Sequence, residues 1–136
     1  MKLGKTITFS IPEASILLNV WQRKHWTQRK KYHEELYWKV RKALREAGHT
    51  PSVPMQVCRI EVDRFSAQLA DWDGVMGGLK PLLDCLVKRT DKNPLGLGLI
   101  EDDNPKCVIE CPTVRQHKSK RKDASTTVKI TEILEA

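Results

Sequence analysis

A chain of 136 residues has room for a single domain with a buried core, and 40% hydrophobic residues is ordinary for a globular protein. No run approaches the roughly 18 apolar residues that a bilayer span requires, and the opening Met1-Lys2-Leu3-Gly4-Lys5 lacks a signal peptide's apolar segment. Membrane and exported classes are therefore set aside, a cytoplasmic protein is expected, and the net charge of +7 points to a polyanionic partner.

Thr6 to Ile11 alternates Ile7, Phe9 and Ile11 against Thr6, Thr8 and Ser10, the pattern of a half-buried strand that Pro12 ends. Glu13 to Trp26 has no steady period; Asn19, Arg23, His25 and Trp26 are candidates to face nucleic acid, whereas Trp21 is the better candidate for packing. Thr27 is read as the N-cap of a long helix with the apolar stripe Leu36, Val40, Ala43, Leu44 and Ala47, closed by Gly48 and supported by a Glu35–Lys39 pair. Pro51 to Pro54 reads as a turn. Met55 to Val62 then reads as a strand with Cys58, Ile60 and Val62 inward and Arg59 and Glu61 outward.

Asp71-Trp72-Asp73 follows a short connection. On an extended backbone, alternation would aim both aspartates to one side and Trp72 to the other, and such a pair in a basic chain calls for a hard divalent cation. Val75, Leu79, Leu82, Leu83, Leu86 and Val87 recur at helical spacing, with Gly77, Gly78 and Pro81 implying a kink or a start near Leu79. Seven residues after Asp73, Lys80 would return to the same helix face and reach back over the carboxylates; Asp84 is either a further contact or a surface residue. Lys88 to Leu95 reads as a loop, Gly96-Leu97-Gly98 as a turn, and Glu101-Asp102-Asp103 would bring a third carboxylate to the first pair. Lys106 to Cys111 and Thr126 to Glu132 look like two arms of a hairpin. The basic run between them, Arg115, Lys118, Lys120, Arg121 and Lys122 with His117, would form a mobile loop that orders on nucleic acid. Cys58, Cys85, Cys107 and Cys111 are expected to be buried thiols, and Cys107, Cys111 and His117 make only a poor approximation to a zinc site.

These residues carry a resemblance. Asp71-Trp72-Asp73-Gly74, Lys80-Pro81-Leu82-Leu83-Asp84 and Leu97-Gly98-Leu99-Ile100-Glu101-Asp102-Asp103, with Pro12, Asn19 and His25-Trp26 upstream, resemble the RusA-type Holliday junction resolvases over most of the chain. Two features depart from that family's pattern: Gly74 stands where an asparagine is usual, and Lys80 comes later than in the compact motif. The resemblance implies an α+β fold, one small domain over residues 1–136 with a mixed sheet of about four strands and two main helices in the order β-α-β-α-β-β. It further implies a bacterial or bacteriophage-encoded homodimer that resolves four-way DNA junctions by magnesium-dependent phosphodiester hydrolysis, with Mn²⁺ as a substitute metal and no small-molecule cofactor or membrane. Asp71, Asp73, Asp102 and Asp103 would hold metal, and Lys80 would act with Asp71, Asp73 and Asp103 in catalysis. Arg23, Lys24, His25, Arg29, Lys30, Arg64, Arg115, Lys118, Lys120, Arg121 and Lys122 would contact DNA. Without that pattern Asp73 is read as a helix cap and Lys80 as a partner of Asp84, and a catalytically weak or inactive module that binds branched nucleic acid is the alternative.

Overall fold

The computed structural model describes residues 2–50 and 52–135; Pro51, the first residue of the expected turn, lies outside them. The elements run β1 (Lys2–Ile11), α1 (Leu18–Arg23), α2 (Trp26–Glu46), β2 (Cys58–Ser66), α3 (Trp72–Gly77), α4 (Lys80–Leu86), β3 (Thr113–Lys118) and β4 (Ser125–Glu135), with a 3-10 turn at Arg121–Asp123. The fold is α+β, built on a mixed four-stranded sheet of order β1-β4-β2-β3. β4 lies antiparallel to both β1 and β2, and β3 lies parallel to β2 at the edge. The expected hairpin is not formed: β4 is inserted between β1 and β2, while Lys106–Cys111 belongs to the turns before β3 and touches the sheet through a Cys58–Val108 bridge. Alternation alone gave those six residues a strand period, yet Val108, not Cys107 or Cys111, is the buried member.

One face of the sheet carries the core. Ile7, Phe9, Val128, Ile130, Cys58, Ile60 and Val62 meet Leu36, Val40, Ala43 and Leu44 of α2, and Leu79, Leu82, Cys85 and Leu86 of the α3–α4 region. Period-2 strands under a period-3.6 stripe produce this two-layer arrangement. His25, not Thr27, caps α2: its Nδ1 accepts from the Thr27 amide at 3.3 Å, and Gln28 Oε1 accepts the His25 N–H at 3.2 Å. At the other end Gly48 takes φ +78°, and the His49 amide reaches the Leu44 carbonyl at 2.9 Å. Ala47 is exposed, and Lys39 pairs with Glu13 at 2.9 Å instead of with Glu35.

A row of three polar residues crosses the end of the buried sheet face in register. Thr126, Arg64 and Gln116 stand side by side on β4, β2 and β3, and each grips the backbone of a segment that leaves the sheet. Thr126 Oγ1 donates to the Glu13 carbonyl at 2.8 Å, and Arg64 Nε to the Ser15 carbonyl at 3.0 Å. Gln116 holds both the N–H and the carbonyl of Ala70. The segment so held, Glu13 to Leu18, is the bed for the α3–α4 corner. A Cβ on Gly78 would lie 1.8 Å from the Ile16 carbonyl oxygen and one on Gly77 2.7 Å from the Leu18 side chain, so glycine is required for that contact. Gly74, by contrast, has nothing within 4 Å of its Cβ direction.

Gly78→Ala is therefore expected to lose several kcal/mol of stability, about 3 or more because backbone rather than a flexible side chain must move. Gly74→Ala should gain about 0.5–1 kcal/mol from helix propensity. Urea unfolding of the two variants beside wild type checks the pair.

Candidate active site

Helix breaking at Gly78-Leu79 decides where the acidic residues go. Asp71 is the extended residue before α3 (φ −63°, ψ 143°), and Asp73 is already in the first helical turn, its Oδ1 accepting the Gly74 amide at 3.1 Å. The aspartates thus straddle a helix start that follows β2 after the four-residue connection Ala67 to Ala70, instead of alternating on a strand. They open onto a groove lined by Leu17, Leu18, Asn19, Gln22, Leu69 and Ala70. Trp72 between them is exposed. Lys80 begins a separate helix, so the seven-residue spacing no longer superposes it on Asp73, and its ammonium sits 3.5 Å from Asp84.

The second acidic run is pinned by Ile100, which is fully buried and bridges both Met55 and Val87. The Glu101 amide donates to the Met55 carbonyl and the Lys88 amide to the Ile100 carbonyl. Beyond this anchor the Asp102 carboxylate accepts from the Asp103 amide at 2.8 Å and from Asn104 Nδ2 at 3.0 Å, while Asn104 Oδ1 closes an Asx turn on the Lys106 amide at 3.0 Å. Asp102 and Asp103 line a cleft of about 720 Å³ with Asp84, Glu101, Lys30, His33, Glu34, Lys80, Lys88 and Lys92. Hydrogen bonds from Asp103 and Asn104 hold the Asp102 carboxyl below its ordinary range. Asp103 goes the other way: partial burial is the largest cause, then the hydrogen bond and charge of Asp102, with Asp84 adding to it. Because Asp103 as a whole stays exposed, its carboxylate neighbours are the physically firmer cause. Lys88 and Glu101 form an ion pair at the wall.

Asp102 and Asp103 are thus brought together with Asp84, while Asp71 and Asp73 face a different groove; among the described residues no three acidic, histidine or cysteine side chains form a ready metal cage. Asp84, read from the sequence as either a further contact or a surface residue, lines this cleft with Glu101, while His33 and Lys88 enter it without having been expected there. For His33 a signal existed, since 33, 36 and 40 continue the buried stripe of α2 toward its N-terminus; burial lowers its pKa, and its Nε2 is enclosed without a hydrogen-bond partner.

The basic residues separate into free and engaged. Arg64 is only 6% exposed and bonds the Ser15 carbonyl, so it is not a DNA contact; it shares strand parity with Ile60 and Val62. Arg29 caps the end of α1 through the Trp21 and Gln22 carbonyls, and His25 caps α2. Arg115 lies on the outer sheet face, forked onto Asp63 at 2.8 and 3.1 Å and 3.5 Å from Glu61, with His117 2.7 Å from the same Asp63. The run expected as a mobile loop is thus strand β3 as far as Lys118, then the 3-10 turn. Arg23, Lys30, Lys118, Lys120, Arg121 and Lys122 are exposed, and Lys24 is half-buried with its ammonium 5.6 Å from the Tyr32 ring centre. Trp21 is half-buried against Tyr32 and Arg29, whereas Trp26 is 68% exposed.

The Arg115 hydrogen bonds, helped by His117, hold the Asp63 carboxyl down to about 2 against the opposing effect of burial. A depressed folded-state pKa stabilises above the unfolded value, about 3.9, and the contribution is lost as pH falls through about 2. Asp63→Asn should cost about 1 kcal/mol at pH 7, a figure kept small by solvent screening. Unfolding curves at pH 7, 4 and 2 should show the difference from wild type intact at the first and vanishing by the last.

No known family model matches the chain, and no curated protein matches it.

Proposed function

We propose that the chain is a divalent-metal-dependent endonuclease acting on branched DNA, with the four-way junction as substrate. The observation that carries this reading is one cleft presenting Asp84, Asp102 and Asp103 beside Lys30, Lys80, Lys88 and Lys92. Carboxylates crowded enough to perturb one another favour a hard cation, and lysines around them favour a phosphate chain. The donors are all oxygen, which fits magnesium or manganese: Asp102 and Asp103 would hold the ion with Asp84 beside them, and Asp71 and Asp73 would present the second pair of donors. Such an ion supplies Lewis acidity and a nucleophilic water at neutral pH. The chain's own contribution is to hold carboxylates on anchored backbone, to keep Lys80 over Asp84 where it can steady a non-bridging phosphate oxygen, and to attract the duplex arms through Lys118, Lys120, Arg121 and Lys122. The approximate two-fold symmetry of a junction calls for two related sites, hence a homodimer, in a bacterial or phage-infected cytoplasm.

A second reading, a branched-DNA-binding module without cleavage, is favoured by the two acidic pairs opening onto different grooves and by the bare Gly74. Labelled junction, flap and linear duplex incubated with magnesium, calcium or chelator separate the two. Wild type should cut junction with magnesium, or with manganese in its place, but not with calcium or chelator. Asp103→Asn and Asp73→Asn should each slow cutting by roughly 100-fold or more while binding at least as tightly, since even groups one step behind a metal ligand cost roughly 10- to 100-fold. Lys118→Ala should weaken binding and reduce the salt slope by about one. Binding without nicking in magnesium and manganese would leave the module reading standing and remove the enzyme.

A further inference from the structure

Gln116 lies on the helix side of the edge strand β3, in register with Arg64. Its Oε1 accepts the Ala70 N–H at 2.9 Å and its Nε2 donates to the Ala70 carbonyl at 2.9 Å, so one carboxamide offers Ala70 what a neighbouring strand would offer. Two bonds to the same residue fix both its position and its orientation. Ala70 immediately precedes Asp71, whose extended backbone opens α3 and whose carbonyl accepts the Val75 amide at 3.1 Å. Among the described residues no other side chain bonds the backbone of the connection from Ala67 to Ala70, and Leu69 within it is exposed. The connection is therefore tied to the sheet at its last residue, directly before the first aspartate.

We propose that Gln116 is a positioning residue for the Asp71–Asp73 pair, setting the backbone from which both carboxylates project and hence the strength with which they hold a divalent cation. The inference rests on reading that pair as cation ligands. A structural staple alone would affect stability; a positioning residue affects the metal dependence and the local order of one turn. Gln116→Met keeps the volume and removes both hydrogen bonds. Val114→Ala, two residues earlier on the same face of β3 and packed on the core, controls for general loosening.

With full-length protein, the magnesium concentration for half-maximal junction cleavage should rise about tenfold in Gln116→Met, in the range seen when groups that orient metal ligands are removed. Amide hydrogen exchange at Asp71 to Gly74 should accelerate about tenfold, a readout that needs no activity. Val114→Ala should lower the melting temperature and change neither. Wild-type metal dependence and exchange in Gln116→Met, or changes matched by Val114→Ala, overturn the inference while leaving the nuclease intact. If wild type does not cut and Asp73→Asn leaves Mn²⁺ binding unchanged, the functional reading fails and the inference with it.

Discussion

The buried guanidinium of Arg64 is the constraint around which the functional end of this fold is arranged. Taking such a charge out of water costs several kcal/mol, and among the described residues no carboxylate pairs with it. What it has is the Ser15 carbonyl, flanked in register by Thr126 on the Glu13 carbonyl and Gln116 on Ala70. Hydrogen bonds to a charged donor contribute about 1.5–3 kcal/mol each, so the Glu13–Ser15 segment is held to the sheet by a charge-assisted bond that its release would forfeit. The sheet end therefore fixes loops that have few apolar contacts of their own. Through Ile16 and Leu18 that order passes to the Gly77-Gly78 corner, where α3, which carries Asp73, ends and α4, which Lys80 opens, begins.

The electrostatic arrangement follows from that anchoring. Asp102, Asp103 and Asp84 are held by backbone pinned to the core, so they cannot relax apart as carboxylates on a free loop would. Lysines are present in the same cleft, but only Lys80 and Lys88 are engaged with its acids, while Lys30 and Lys92 form no ion pair among the described residues. On the outer sheet face the opposite holds: Asp63 and Glu61 take up Arg115, and Lys129 approaches Glu61 at 4.0 Å, leaving that face a balanced ladder. Exposed positive charge thus lies on the helices and on the Lys118–Lys122 turn more than on the sheet.

Periodicity made β1, β2, β4 and α2 legible because each has one face against a single core. It misled at Lys106–Cys111, where alternation occurs in turns, and at β3, where the residues Val114, Gln116 and Lys118 facing the helices carry only one hydrophobe. Pairing partner is not written in local pattern, so the insertion of β4 between β1 and β2 was hidden. At the site, the residue types were legible and their geometry was not. Gly77 and Gly78 announced a break, but only the Ile16 carbonyl against Gly78 explains why α3 and α4 turn there; the Lys80–Asp84 pair, four residues apart on α4, was readable from spacing. Arg64 was readable by parity with Ile60 and Val62, against the habit of assigning every arginine to the surface.

Titration with Mn²⁺, followed by paramagnetic broadening of backbone amide signals, tests most directly whether the anchored carboxylates form a cation site. At stoichiometric metal, the amides from Glu101 to Asn104 and at Asp84 are expected to broaden first, with Asp71 to Gly74 affected in the same titration. Broadening spread evenly over exposed acids outside the cleft such as Glu46, Glu110 and Asp123, or none until large excess, would contradict this expectation.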